Sequence, residues 1–237
     1  MVRARQIERP NWPARFGRRG RRLRNVAVMF VDIEGCTYLC QDLPPYQMHR
    51  VIETYFSRYL DIVRDAGGEV TELLGDGLVA LFEGPSIRED ITHAVLAALR
   101  IREVTGELNA RERGRHHDPI VVNIGLNAGG ASVGITRLRG RSGEQRFYAA
   151  TGPVTNTAAR LCALASRGQI LVSGRMTEHL QGHYQLRMLG PRTLTNVGAP
   201  VEVVEILGRK GRGRPRSNAT RSLSDHMSAR TGRKGGR

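Results

Sequence analysis

The chain has 237 residues, of which 40% are hydrophobic and 25% are charged, and its formal net charge is +15. This composition is typical of a globular protein and excludes a fibrous or wholly disordered chain. No run reaches the roughly 18 uncharged apolar residues of a membrane span, and no apolar segment follows the first arginines. Three cysteines without zinc or redox spacing fit a reducing compartment, so we expect a cytoplasmic protein without a transmembrane segment.

The positive charge lies at the two ends of the chain. Residues 1–24 contain nine Arg and one acidic residue, and residues 208–237 contain eight Arg, two Lys and one acidic residue. The span 25–207 therefore carries a charge of −2, and it contains no lysine. Both ends are poor in apolar residues, so we expect two disordered basic arms around one domain at 25–207. The arms could contact nucleic acid or an anionic surface through charge alone.

Within the domain, the hydrophobic period alternates between that of strands and that of helices. Prolines 44 and 45 predict the first turn of a helix, and Gly67 predicts its end. In chain order we expect a strand at 25–32, a helix from 44 to 66, strands at 69–74 and 78–83, a helix at 87–106, strands at 120–127, 131–136 and 146–151, a helix at 153–165, a strand at 169–173, a short helix near 174–180, and strands near 184–189 and 201–206.

Two of the predicted connections are tight turns. The sequence Gly75-Asp76-Gly77 joins two short strands and predicts a hairpin, and the pair Gly129-Gly130 predicts a second one. The order β-α-β-β-α-β with additional strands indicates an α+β fold, a ferredoxin-like or palm-like βαββαβ sheet with its helices on one face.

Two aspartates stand where apolar runs end. Asp32 closes the first predicted strand, and Asp76 lies at the tip of the first hairpin. Each one alone is also explained as a turn or cap residue. In the predicted topology the first strand and the hairpin are neighbours, so the two carboxylates would converge. Such a pair can hold Mg²⁺ or Mn²⁺ together with substrate phosphates.

Several segments, in order along the chain, resemble the catalytic domain of the class III adenylate and guanylate cyclases. These are FVDIEGCT at 30–37, LGDG at 74–77, GLNAG at 125–129 and GPVTNTAARL at 152–161, and GQILVS at 168–173 is similar to bacterial members. The resemblance covers 25–207. It implies a cyclase that makes a cyclic nucleotide messenger from a nucleoside triphosphate.

The resemblance also implies roles for individual residues. Two metal ions, Mg²⁺ or Mn²⁺, would be bound by Asp32, Asp76 and the backbone carbonyl of Ile33. Asn156 would orient the ribose, and Arg160 would stabilise charge on the α-phosphoryl group. Their spacing of four residues places both on one face of a helix, and a guanidinium suits a phosphate. Because family members build their site between two such domains, a homodimer is implied.

Three positions depart from the adenylate cyclase pattern. Glu72 stands where a lysine contacts adenine, and glutamate is the residue that guanylate cyclases use there. Ala149 stands where an aspartate or threonine also contacts the base, and Thr195 stands where a lysine binds the triphosphate. An arginine would have to replace that lysine, and the candidates are Arg137, Arg139, Arg141 and Arg146.

The sequence therefore leaves the choice of ATP or GTP open, because base discrimination depends on such hydrogen bonds. It also leaves open two other functions: a cyclase-like regulatory or dimerisation module that binds nucleotide without turnover, and a nucleic-acid binder that acts through the arms. A diguanylate cyclase is disfavoured, since Gly67-Gly68-Glu69 precedes the hairpin instead of forming its turn.

Overall fold

The computed structural model describes residues 20–36, 44–112, 118–141 and 143–210, so most of the predicted disordered arms, 1–19 and 211–237, lies outside the described residues. The inner ends of those arms, 22–24 and 208–209, are not disordered but belong to the first and last strands, where they pair with neighbouring strands. The elements are β1 (Arg22–Ile33), α1 (Pro45–Asp65), β2 (Glu69–Leu74), β3 (Gly77–Phe82), α2 (Ile87–Arg111), β4 (Val122–Gly140), β5 (Gly143–Thr151), α3 (Pro153–Leu164), β6 (Ile170–Ser173), a 3₁₀ turn (Gly174–Met176), α4 (Thr177–Leu180), β7 (Tyr184–Arg192) and β8 (Val201–Arg209). No helix in these segments is long and apolar enough to cross a membrane.

The described strands form one sheet in the order β2-β3-β1-β4-β6-β8-β7, and β5 pairs with β4 outside this path. β1 and β4 are antiparallel over twelve residue pairs, and β4 and β6 are parallel. The first four strands with α1 and α2 are the predicted ferredoxin-like βαββαβ unit, and β6 to β8 are the predicted additions. The predicted fold class is confirmed.

The helices lie on both faces of the sheet. Side chains of a strand alternate between faces, so Ala27 and Met29 of β1 pack in the larger core with α1 and α2. Val26 and Val28 point to the other face, where they share a smaller cluster with Val154 of α3. The expectation of helices on one face thus holds for α1 and α2, while α3 covers the opposite face.

The ends of the first two helices follow local sequence signals. Pro45 occupies the first turn of α1, and Gly67 just beyond the helix has φ +77°, a conformation that glycine adopts without strain. At the start of α2 the Ser86 Oγ accepts a hydrogen bond from the Glu89 backbone N–H at 3.3 Å. This N-cap satisfies one of the free donors of the first turn, where acidic residues are also favourable.

The hairpin predicted at Gly129-Gly130 is wrong. β4 continues through both glycines, which pair with Val26 and Asn25 of β1, and the chain reverses only between β4 and β5. The long ladder with β1 keeps β4 extended. Gly129 has φ +155°, a conformation that residues with a side chain rarely adopt, so this glycine serves the backbone of a continuous strand rather than a turn.

Gly125 brings α3 directly onto the backbone of β4. A Cβ at this position would lie 2.2 Å from the backbone N of Cys162 and 2.3 Å from the carbonyl O of Ala158. Neither backbone atom can move without moving the helix. Any side chain at 125 would therefore displace α3 from the sheet.

Candidate active site

The turn between β2 and β3 lies beside the end of β1. Asp32 is paired across the strands with Gly77, and the Ile33 N–H donates a hydrogen bond to the Asp76 carbonyl O at 3.1 Å. Gly75 has φ +62°, which fits the first central position of a tight hairpin turn. A Cβ on Gly77 would lie 3.2 Å from the Asp32 Oδ1, so a glycine keeps this space open. The structure thus brings Asp32, Ile33 and Asp76 together, as the sequence predicted.

The Asp32 carboxylate is partly buried beside the Asp76 carboxylate. Burial raises the pKa of Asp32 to about 6, and the Asp76 carboxylate adds to this rise. Within the described segments no group of three or more His, Cys, Asp or Glu forms a metal cluster. The protein therefore offers two carboxylates and backbone carbonyls, a donor set that fits a hard divalent cation whose other ligands are water and phosphate.

Cys162 lies on the inner side of α3 near Asp32. Its thiol donates a hydrogen bond to the Asn123 carbonyl O at 3.3 Å. Burial raises the pKa of the Cys162 thiol to about 12, and the nearby Asp32 contributes. The thiol is therefore neutral at physiological pH, and we assign it to packing rather than to metal binding or nucleophilic chemistry.

Two further polar residues, Glu34 and Asn123, lie close to the end of β1, and the sequence predicted no role for either. Asn123 is directly opposite Asp32 on β4 and is 6% exposed. Its Nδ2 donates to the Glu34 Oε2 at 3.1 Å, and its Oδ1 accepts from the Gly168 N–H at 3.1 Å. The same Glu34 oxygen accepts from the Arg167 N–H at 2.5 Å. An amide within the apolar run IVVNIGL was the available signal, because a buried polar side chain needs partners.

Asn156 and Arg160 lie on the outward side of α3. The residues of this helix that face the sheet, including Ala158 and Cys162, are buried, whereas Asn156 is exposed and Arg160 is half-buried. Two residues along a helix correspond to a rotation of about 200°, so the Asn156–Arg160 row points away from the sheet. Among the described residues, no ion pair joins Arg160 to Asp32 or Asp76. One chain thus does not bring the predicted transition-state residues onto the carboxylate pair.

The positions predicted to contact the base lie on β2 and β5. Ala149 is paired with Gly134 of β4, eleven residues along the strand from Asn123, which is opposite Asp32. The β4–β5 hairpin curls back over the sheet, however, so that Tyr148, next to Ala149, packs against Val28 of β1 and Val79 of β3. Glu72 is exposed on β2, and Thr195 is exposed in the loop between β7 and β8.

The four candidate arginines lie on the distal part of β4 and β5 and on the turn between them. Arg139 and Arg146 form ion pairs with Glu144 at 3.2 Å and 2.7 Å, and both side chains are more than half exposed. This part of the sheet is at the opposite end of β4 from Asp32. None of the four lies beside the carboxylate pair of its own chain, and a role in triphosphate binding stays a prediction.

Comparison with known proteins agrees with this arrangement. Residues 19–204 match the family model described as the adenylate and guanylate cyclase catalytic domain. The chain is 24% identical over 196 residues to adenylate cyclase 1 of Rhizobium meliloti, an alignment that covers 81% of this chain and only 29% of that relative.

Two solved structures share the fold. The adenylyl cyclase CyaB from P. aeruginosa has a TM-score of 0.75 at 21% identity, and the alignment covers 81% of this chain and 98% of that one. The guanylate cyclase domain of RhGC from Catenaria anguillulae, in complex with GTP, has a TM-score of 0.69 at 21% identity, with 80% and 100% covered. The family match spans most of the chain and includes the paired aspartates and the Asn156–Arg160 row, so this protein belongs to the family of class III adenylate and guanylate cyclase catalytic domains.

Proposed function

We propose that this domain converts a purine nucleoside triphosphate, ATP or GTP, into the 3',5'-cyclic monophosphate and pyrophosphate, and thereby supplies a messenger for intracellular signalling. The observation that carries the proposal is the convergence of Asp32 and Asp76 beside the Ile33 backbone, where burial and mutual repulsion leave negative charge uncompensated. In the reaction the ribose 3'-oxygen would attack the α-phosphorus while the bond to the β-phosphate breaks.

Asp32, Asp76 and the Ile33 carbonyl would hold two Mg²⁺ or Mn²⁺ ions. These ions would neutralise the triphosphate, lower the pKa of the 3'-hydroxyl and stabilise the leaving pyrophosphate. Asn156 would fix the ribose by hydrogen bonds, so that the 3'-oxygen faces the α-phosphorus. Arg160 would place its guanidinium against the oxygens of that phosphorus, where negative charge grows in the transition state.

The active species would be a homodimer with two equivalent sites. Within one chain the Asn156–Arg160 row lies on the side of α3 that points away from the sheet. A second copy related by a two-fold axis can bring its own row onto Asp32 and Asp76. Leu73 and Leu74, next to the Asp76 turn, are 61% and 51% exposed, which suits an apolar contact with that copy.

Complementation between two inactive chains tests both the reaction and the shared site. Asp32→Ala and Arg160→Ala should each abolish formation of cyclic nucleotide in the presence of Mn²⁺. Mixing the two variants should restore one intact site per dimer, and thus a rate of about a quarter of wild type if the chains pair at random. Product would be identified by mass spectrometry after separate incubation with ATP and with GTP. Wild type without either product would refute the reaction, and active single variants would refute the roles.

The base preference would depend on Glu72. Its exposed carboxylate can accept hydrogen bonds from the N1–H and N2–H₂ edge of guanine, whereas adenine offers no such pair of donors. Ala149 adds no hydrogen bond. We therefore expect turnover of both purines, with Glu72 favouring GTP. Glu72→Lys should lower the ratio of GTP to ATP turnover.

A second candidate is a cyclase-like module that binds nucleotide without turnover. The apolar Ala149 and the exposed Thr195 favour it, because both replace groups that would hold the base or the triphosphate. Calorimetry that detects binding of nucleotide and Mn²⁺, combined with no product, would select this candidate. In either case we place the protein in the cytoplasm, and the basic arms could add contacts with nucleic acid or an anionic surface.

A further inference from the structure

Glu34 joins the metal-binding end of β1 to the loop that follows α3. Its Oε2 accepts hydrogen bonds from the Asn123 amide at 3.1 Å and from the Arg167 backbone N–H at 2.5 Å. On the chain it stands two residues after Asp32. Its own N–H donates to the Val121 carbonyl O at 2.8 Å, so the backbone at Glu34 is also fixed against the start of β4.

The loop that Glu34 holds has an unfavourable backbone conformation. Arg167 has φ +53°, which is uncommon for a residue with a side chain, and Gly168 has φ +78°. The two consecutive N–H groups of this loop are bound by Glu34 and Asn123 respectively. The Glu34–Asn123 pair therefore stabilises a strained connection that follows α3 and leads into β6.

The position of α3 matters because that helix presents Asn156 and Arg160. Its contact with the sheet is rigid: Gly125 lets the helix backbone touch β4, and Cys162 is bonded to the Asn123 carbonyl. Asn123 thus touches α3 through its backbone, Glu34 and Gly168 through its side chain, and pairs with Asp32 across the sheet. These bonds therefore connect the end of β1, which carries Asp32, to α3, which carries Asn156 and Arg160.

We propose that Glu34 is a positioning residue that couples the two half-sites of one chain, the metal-binding carboxylates and the Asn156–Arg160 row. This inference rests on the proposed function, since the two half-sites serve different active sites of the dimer. A change at Glu34 would then disturb two reactions at once: the one at its own carboxylates, and the one to which its α3 contributes.

A first experiment measures the bonds themselves and needs no activity. Hydrogen exchange by NMR on wild type, Glu34→Ala and Glu34→Gln should show the Arg167 amide exchanging at least tenfold faster in the alanine variant, because its charged acceptor is lost. The Gly168 amide should also exchange faster, because Glu34 orients the Asn123 side chain that accepts from it. The glutamine variant, which keeps an acceptor oxygen, should be intermediate. Glu103→Ala, which removes an exposed partner of Arg100, should leave both amides unchanged. Unaltered exchange in Glu34→Ala would overturn the proposal.

A second experiment uses mixed dimers. When Asp32→Ala and Arg160→Ala chains are combined, the single intact site takes its carboxylates from the Arg160→Ala chain and its arginine from the Asp32→Ala chain. Adding Glu34→Gln to the Arg160→Ala chain, which supplies the carboxylates, should raise the half-saturating Mn²⁺ concentration. Adding Glu34→Gln to the Asp32→Ala chain, which supplies the arginine and whose own carboxylate site is already inactive, should lower kcat severalfold. The dependence on Mn²⁺ concentration should not change.

If Glu34→Gln changes the kinetics only when it is placed in the Arg160→Ala chain, the coupling is wrong and Glu34 has a role at the carboxylates only. If Glu34→Gln changes the kinetics in neither chain, the whole proposal is wrong. Failure of the parent variants to complement would instead refute the shared active site, a result that the hydrogen-exchange measurement does not depend on.

Discussion

Replacing Asp32 by asparagine should make the metal-free protein more stable while destroying its activity. Burial and the Asp76 charge raise the pKa of Asp32 from 3.8 to about 6. The folded state therefore holds this proton more tightly than the unfolded chain, so ionisation of Asp32 costs stability as the pH rises through 6. About two pKa units correspond to about 3 kcal/mol, and screening by solvent at this half-buried site reduces the expected cost to about 1–2 kcal/mol.

The free energy of unfolding in urea, measured with EDTA at pH 8, should thus be about 1–2 kcal/mol higher for Asp32→Asn than for wild type. At pH 4 the difference should largely vanish, because Asp32 of the folded wild type is then protonated. Asp61→Asn, an exposed change on α1, should have no such effect. Mn²⁺ should stabilise wild type and not Asp32→Asn. Equal or lower stability of Asp32→Asn at pH 8 would refute the assignment of strain to this carboxylate.

Three further outcomes can be checked. The affinity for Mn²⁺ measured by calorimetry should fall up to about tenfold per pH unit below pH 6 and level off above it, because a proton competes for Asp32. An affinity that does not change between pH 5 and pH 7 would contradict this. Gly125→Ala should cost several kcal/mol in urea unfolding or prevent folding, since the Cβ would meet the α3 backbone, whereas Gly140→Ala, with nothing within 4 Å, should be tolerated. Tyr59→Phe should lower the free energy of unfolding by about 1 kcal/mol, because it removes the buried hydroxyl bonded to Thr105 at 2.7 Å, and the 64%-exposed Tyr46 should tolerate the same change.

Most of the fold could be predicted because local signals and hydrophobic period agreed. The strand ending at Asp32 and the hairpin around Asp76 each carry an apolar run closed by glycine or a charge, and the βαββαβ order then made the two aspartates neighbours. The error at Gly129-Gly130 arose because two adjacent glycines are a strong local turn signal. A twelve-pair ladder with β1 overrides that signal, and such a ladder is a tertiary feature that no short window contains.

The candidate site was predicted as a set of residues but not as a geometry. Sequence spacing placed Asn156 and Arg160 on one helix face, and the structure shows that this face is turned outward. The bonds of Glu34 to Asn123 and Arg167 join residues 89 and 133 positions apart, so nothing local indicated them. The roles of the site residues remain predictions until the variants are measured.

The uninterrupted pairing of β1 with β4 has a consequence for control. From Arg22 opposite Val133 to Ile33 opposite Val122, this seam runs through the centre of the sheet and fixes the spacing between its two ends. Sliding one strand past the other would break the whole seam, and a slip of one residue would turn every side chain to the wrong face. In the proposed homodimer, an input that changes activity would therefore act on how the two copies meet, and each copy would move as a rigid unit.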